Sequence, residues 1–276
     1  IVADVLSRER NKERRVELME KIVAHDANNL RARSALAQVA ARSGQVDKAT
    51  GLLADIHAAE PDNSRYAAFY ASLLRSQGKV EEALEILSSQ LAKRSEATQA
   101  DADGQELRLV YARFLVDAKR YEQARTEFER LTRAAPERAD VRYALGLLLL
   151  QTNHHEEARE HFTKLVSLRE RLLEANFYLG QIAEAQDDNE VAITHYRRVD
   201  RGEQYISAQV RVAAIYAKTE RIDRARQHLG AVRRGSERDD IRLYRAEAEL
   251  LARHDRFDDA IAVYDGALLS HPHNTD

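Results

Sequence analysis

The segment His154–His161, HHEEAREH, gathers three imidazoles and three carboxylates within eight residues. Zinc hydrolysis through an HExxH helix needs two histidines one helical turn apart, beside a glutamate that acts as base. Here His155-Glu156-Glu157-Ala158-Arg159 ends in arginine, so the second ligand is missing, and His154 and His161 stand seven residues apart across a helix start. The cluster reads as polar surface. A second candidate is Asp101-Ala102-Asp103-Gly104, which resembles the opening of a calcium loop. An EF-hand requires a third ligand before its glycine and a glutamate further on, and both fail. Asp103 and Glu106, three apart, instead read as a capping box for the next helix. Cysteine is absent, which excludes a disulfide framework, a thiolate metal site and a cysteine nucleophile. Neither a Gly-rich phosphate loop nor a GxSxG elbow is found. The sequence therefore predicts a non-enzyme, with no catalytic residue, no cofactor and no metal.

The elements that hold these side chains repeat. Ala49, Ala83, Ala124, Ala158, Ala192, Ala225 and Ala260 stand 34, 41, 34, 34, 33 and 35 residues apart. Twelve residues before each comes another small residue, Ala37, Ala71, Ala112, Gly146, Gly180, Ala213 or Ala248, and twelve after three of them stand Pro61, Pro136 and Pro272, all the prolines of the chain. In the first copy Leu36, Ala37 and Ala40 form one helical stripe and Val46, Ala49, Leu53 and Ile56 another. Gly44 interrupts them and Pro61 closes the second, giving helix–turn–helix–turn. Small residues are needed where two helices cross closely, because side-chain size sets the interaxial distance. One such pair cannot bury its apolar face, but a stack can.

These residues resemble the tetratricopeptide repeat family over most of the chain. Leu145-Gly146 with Ala158, Phe162 and Leu165, and Leu179-Gly180 with Ala192, Tyr196 and Val199, sit at the family's spacing. The family's early tryptophan is missing, Glu247 replaces an apolar residue, and Arg15 stands where residues 1–29 should offer a small one. The resemblance implies an all-α, right-handed α-solenoid of tandem helix–turn–helix repeats. Residues 1–29 read as the end of a truncated repeat. Seven repeats follow over 30–63, 64–104 with an insertion, 105–138, 139–172, 173–205, 206–240 and 241–276. Both ends read as cuts inside a longer array, with any targeting signal upstream.

In this family positions 2, 5, 9 and 12 of each repeat line the concave groove. That places Arg31, Ser34, Gln38, Ala41, Arg65, Ala68, Ser72 and Arg75 in a basic N-terminal section. Glu106, Leu109, Arg113, Val116, Asp140, Tyr143, Leu147 and Leu150 follow, then Glu174, Phe177, Gln181 and Glu184. Ser207, Val210, Ala214, Ala217, Arg242, Arg245, Glu249 and Ala252 complete the set. Leu147–Leu150 carries leucine around most of a helix, which a helix packed on one face does not need. The expected partner contacts are therefore Leu109, Arg113, Tyr143, Leu147, Leu150, Phe177 and Gln181, with Arg31, Arg65 and Arg75; the leucine run reads alternatively as core, and the arginines first as solvated charge and second as a lure for an acidic segment. Position 6 carries no asparagine ladder, and the chaperone-tail clamp is missing.

Composition narrows the function. Charged residues make up 32% and the net charge is −3, so no clustered positive surface for nucleic acid is expected. No apolar run approaches the ~18 residues of a membrane helix. The expected role is a scaffold or adaptor that holds a helical or extended segment of a protein partner. A cytosolic peptide-sensing regulator or chaperone partner is the alternative. The C-terminal half, with Tyr196-Arg197-Arg198-Val199, Gly202-Glu203-Gln204-Tyr205 and Ala246-Glu247-Ala248-Glu249-Leu250-Leu251, further resembles the outer-membrane lipoproteins of proteobacteria that serve as adaptor of a periplasmic carboxyl-terminal processing protease. That resemblance implies a protease partner and a periplasmic location, anchored through an N-terminal segment; the cytoplasm is the alternative.

Overall fold

A computed structural model describes residues 14, 16–26, 28–94, 101–233 and 236–271. Pro272 and the 95–100 stretch of the insertion lie outside them. Among the described residues there are 15 helices and no strands. Helix α1 spans 16–25. Seven pairs follow: α2 (Leu30–Arg42) with α3 (Val46–Ala59), α4 (Ser64–Ser76) with α5 (Val80–Lys93), α6 (Ala102–Asp117) with α7 (Tyr121–Ala134), and α8 (Ala139–Gln151) with α9 (His155–Leu168). The last three are α10 (Leu172–Ala185) with α11 (Asn189–Arg197), α12 (Tyr205–Lys218) with α13 (Ile222–Val232), and α14 (Glu237–Arg253) with α15 (Phe257–Ser270). The chain forms two compact units, 1–141 and 142–276. In each unit helices pack on their chain neighbours, and first helices also meet one another, α4 with α6 and α12 with α14.

One turn serves every pair. The backbone N–H of the residue just after the left-handed position donates to a carbonyl in the last turn of the first helix. Examples are Lys79 to Leu74 at 2.9 Å, Arg120 to Leu115 at 2.8 Å and Arg221 to Tyr216 at 2.8 Å. This is the Schellman ending, and it needs one residue with positive φ. Gly44 and Gly78 supply it, and Lys119, Asn153, Asp187, Glu220 and Asp255 adopt it without being glycine, at φ 58 to 62°.

The alanine ladder is the seam between paired helices. Ala49, Ala83, Ala124, Ala158, Ala192 and Ala225 have no exposed surface, and Ala37, Ala71 and Ala112 match them. At Gly146 and Gly180 the seam is tighter still. A methyl on Gly146 would stand 2.8 Å from the Phe162 ring, and one on Gly180 would stand 2.7 Å from Tyr196.

The cap expected at Asp103 falls elsewhere. Asp101 is the N-cap of α6, accepting from the Gly104 N–H at 2.7 Å, and Asp103 lies exposed in the first turn. Arg94 donates to both oxygens of Asp101, at 3.0 and 3.1 Å. That pairing holds the carboxylate at the helix start. Glu106 turns away from capping to pair with Arg138 at 2.8 Å.

Candidate partner-binding surface

The first helices of unit 1 wall a cavity of about 770 Å³. Arg31, Ser34 and Gln38 come from α2, Arg65 and Ala68 from α4, and Glu106 and Val110 from α6; Arg94 and the Asp62–Ser64 turn close it. Helical periodicity at i, i+3 and i+7 puts the α2 residues on one face. Several charges are already satisfied: Asp62 pairs with Lys93 at 3.1 Å, Glu106 with Arg138, and Arg94 with Asp101. Arg31 and Arg65 are exposed and have no ion-pair partner among the described residues, nor does the opposing Asp103. The unpaired charge of the cavity is net positive.

A second cavity, of about 550 Å³, belongs to unit 2. Phe177, Ile206, Val210 and Ala246 give it apolar walls, and Ser207, Arg211, Arg242, Arg245 and Glu249 give it polar ones. Arg211 is held by Glu184 at 2.9 Å. Arg242 and Arg245, one helical turn apart on α14, are exposed without ion-pair partners among the described residues. Beside it a space of about 380 Å³ is lined by Ala213, Ala214, Ala217, Leu229 and Leu250.

Several predicted contact residues are otherwise engaged. Leu109 is 2% exposed and Phe177 8%, so both act mainly as core. Phe177 keeps only an edge toward its cavity, because its ring meets Tyr178 at 5.5 Å and Tyr196 at 5.9 Å. Arg75 is occupied as well: it donates to Asp117 at 2.5 Å and its guanidinium lies 4.9 Å above the Phe114 ring. Arg113 is exposed and Gln181 half-buried. The leucine run divides, with Leu148 and Leu149 buried and Leu147 and Leu150 half-buried.

Tyr143 is half-buried below the Arg171 guanidinium, 4.6 Å from its ring. Tyr178 lies 6.0 Å from Tyr143 and stacks on Phe162 at 5.1 Å. Burial, and then the hydrogen bond with Tyr178, raise the Tyr143 phenol above its ordinary range. This makes Tyr143 a rigid neutral platform rather than an acid or base.

Periodicity gives no sign of the polar fasteners. Tyr196 is fully buried, yet its hydroxyl donates to Glu184 Oε2 at 2.6 Å, where Arg211 also donates. Burial first, and the bond to Glu184 second, raise the Tyr196 pKa. Glu184, expected in the groove, thus serves the scaffold. Tyr205 donates to the Val232 carbonyl at 2.9 Å. Glu247 is buried between Arg226, at 3.4 Å, and Arg233. The residues that carry the closer C-terminal resemblance therefore brace the repeat stack. As for the histidines, His154 bonds Thr152 at 2.9 Å, and His161 lies 3.5 Å from Arg142. Among the described residues no group of three or more His, Asp or Glu is placed to hold a metal, and no helix is long and apolar enough to cross a membrane.

Tandem helix pairs joined along an alanine seam define a helical-repeat fold. The chain matches the tetratricopeptide repeat family over residues 16–73 and again over 112–172 and 213–275, and it belongs to that family. Proteins of this family generally mediate protein–protein interactions. Among solved structures it is similar to the C-terminal part of a TPR repeat-containing protein from Cytophaga hutchinsonii, with TM-score 0.65, 16% identity, and 95% and 98% of the two chains covered. A tetratricopeptide repeat protein from Parabacteroides merdae gives TM-score 0.60, 16% identity and 89% and 94% coverage. PilF of Pseudomonas aeruginosa gives 0.56, 21%, and 74% and 90%. At these identities the likeness is one of fold. No curated protein matches the chain.

Proposed function

We propose that this chain is a non-catalytic adaptor that holds a peptide segment of a partner protein against the inward side chains of its first helices. The observation that carries this reading is the lining of the two cavities. In each unit, first-helix positions 2, 5 and 9 converge on one space, of about 770 Å³ in unit 1 and about 550 Å³ in unit 2, with two arginines left unpaired: Arg31 and Arg65, then Arg242 and Arg245. An extended or helical segment carrying acidic residues between apolar ones complements both. A crosslinking pull-down from the native organism tests it, comparing wild type with Arg31→Glu/Arg65→Glu and with Leu147→Asp/Leu150→Asp. Loss of the same partner in both variants, with helical content kept, is the expected result. Retention by both overturns the reading.

The resemblance of the C-terminal half supports a narrower form, in which the partner is a carboxyl-terminal processing protease and the location periplasmic. Co-purification with that protease, and faster cleavage of its substrate when the chain is added, are the expected results. Unchanged cleavage removes the narrower form and leaves the broader one standing.

A further inference from the structure

Two inner positions of each first helix stand one and four residues past its small crossing residue. In the fourth repeat they are Leu147 and Leu150, and in the fifth Gln181 and Glu184. Only the sixth repeat has alanine at both, Ala214 and Ala217. A side chain that ends at its β-carbon leaves room between neighbouring first helices, and a space of about 380 Å³ lies there.

The walls of that space are apolar. Ala213, Ala214 and Ala217 come from α12, Leu229 of α13 lies behind them with no exposed surface, and the half-buried Leu250 of α14 stands opposite. Each of these helices has chain neighbours on both sides. Helix α12 packs on α11 and α13, and α14 packs on α13 and α15. The space is therefore an inner feature of the array, walled without the final helix.

Charge brackets it. The cavity of about 550 Å³ adjoins it and shares Val210, Ala246 and Glu249 with it. Along α14 the groove thus passes Arg245, then the alanine-walled space, then Arg253. Both arginines are exposed and have no ion-pair partner among the described residues. Eight helical residues set them about 12 Å apart along the axis. Lys218 also borders the space but is taken by Asp187 at 2.6 Å. Glu249 stands between the arginines, exposed and likewise without an ion-pair partner among the described residues.

We propose that this space takes one large apolar side chain of an extended segment, which carries an acidic residue two places before it and another two places after. In an extended chain those acids lie about 13 Å apart, which matches the span from Arg245 to Arg253. In a helix they would be only about 6 Å apart, so the extended form is selected. Glu249 borders the middle of the motif, which carries no acid. The inference rests on the groove-binding reading above, and adds to it the chemistry and spacing of the bound motif.

The probe is the pentapeptide Asp-Ser-Phe-Ser-Asp, blocked at both ends, added to the chain with isotope-labelled alanine methyls and followed by NMR. The methyls of Ala213, Ala214 and Ala217 should shift saturably. Leucine in place of the phenylalanine should still bind, whereas alanine should weaken binding more than about tenfold, as loss of a buried apolar anchor does. Lysine in place of both aspartates should weaken it about fivefold, and Arg245→Glu/Arg253→Glu in the protein should restore that loss. Ala214→Leu places at an exposed site a residue of nearly equal helix propensity, and should abolish the shifts at Ala213 and Ala217 with helical content kept. The peptide series on the wild-type chain decides the matter if that variant misfolds. Equal binding of the phenylalanine and alanine peptides, undiminished binding by folded Ala214→Leu, or no recovery by the charge swap overturns the proposal. Shifts at Ala68 of the unit 1 cavity with none at Ala214 and Ala217 overturn it too, and leave the groove reading standing. Shifts at neither cavity also overturn it, while the partner pull-down decides the groove reading separately.

Discussion

His228 in α13 has a buried Nε2 with no hydrogen-bond partner, and its ring meets Tyr216 edge-on at 6.2 Å. Burial first, and then the charge of Arg197, push its pKa down from 6.5 to about 4. Below pH 6.5 the unfolded chain takes up a proton that the folded chain refuses until about pH 4. The stabilisation is therefore complete above pH 6.5 and is lost as pH falls through that window. Urea unfolding at pH 7.5 and 5 should show a smaller pH loss in His228→Gln than in wild type. Burial lowers the pKa of His57 and His195 too, so some loss of the same sign should remain. An identical loss in variant and wild type would remove His228 as its source. Glu247 is a second critical residue. Glu247→Ala leaves Arg233 without its buried anion, at a cost of roughly 3–5 kcal/mol. Arg226 keeps Asp259 at 3.2 Å, so Arg233→Met in the Ala background should recover part of the loss in the same unfolding assay.

At the scale of the helix and its turn, two effects oppose each other at the buried glycines. Alanine in a helix interior gains about 1 kcal/mol over glycine. Overpacking costs roughly 1–3 kcal/mol. The Tyr196 ring facing Gly180 is fixed by its hydroxyl bond to Glu184, so it cannot retreat and the second effect wins. Gly180→Ala should lower the melting temperature. Gly51 lies in α3 with nothing within 4 Å of an added methyl, and there the substitution should raise it. Equal signs at both positions would refute the crossing-distance account of the ladder. The turns follow similar reasoning. Lys119 and Glu220 hold φ of 59°, a conformation costing a non-glycine residue roughly 1 kcal/mol. Lys119→Gly should therefore stabilise, whereas the glycine already at position 78 leaves nothing to gain. Gly44 and Gly78 announce this turn in the sequence. The five non-glycine versions do not, because the Schellman hydrogen bonds impose the geometry whatever the residue.

Across the whole molecule, the period of the alanines was enough to define paired helices, since small residues at two fixed offsets have one common cause: close crossing. Among the positions that the family resemblance directs inward, Arg31, Ser34, Gln38, Arg65, Ser207 and Arg242 line cavities. Periodicity specifies a direction, however, not what reaches across from the neighbouring pair. That is why Leu109 is core, why Arg75 is spent on Asp117, and why Glu184 fastens Tyr196. The same neighbour logic predicts how stability is distributed. In a repeat stack each pair is held by its own interface and those of its nearest neighbours. Within unit 2, α9, α11 and α13 each pack against a following first helix, α10, α12 and α14. Helix α15 packs on α14 with its outer stripe bare. Its amides should open locally at lower free energy than those of the other three, and native-state hydrogen exchange would show them exchanging first. Uniform protection of all four second helices would mean that unit 2 opens as a single block, and nearest-neighbour coupling would not describe it.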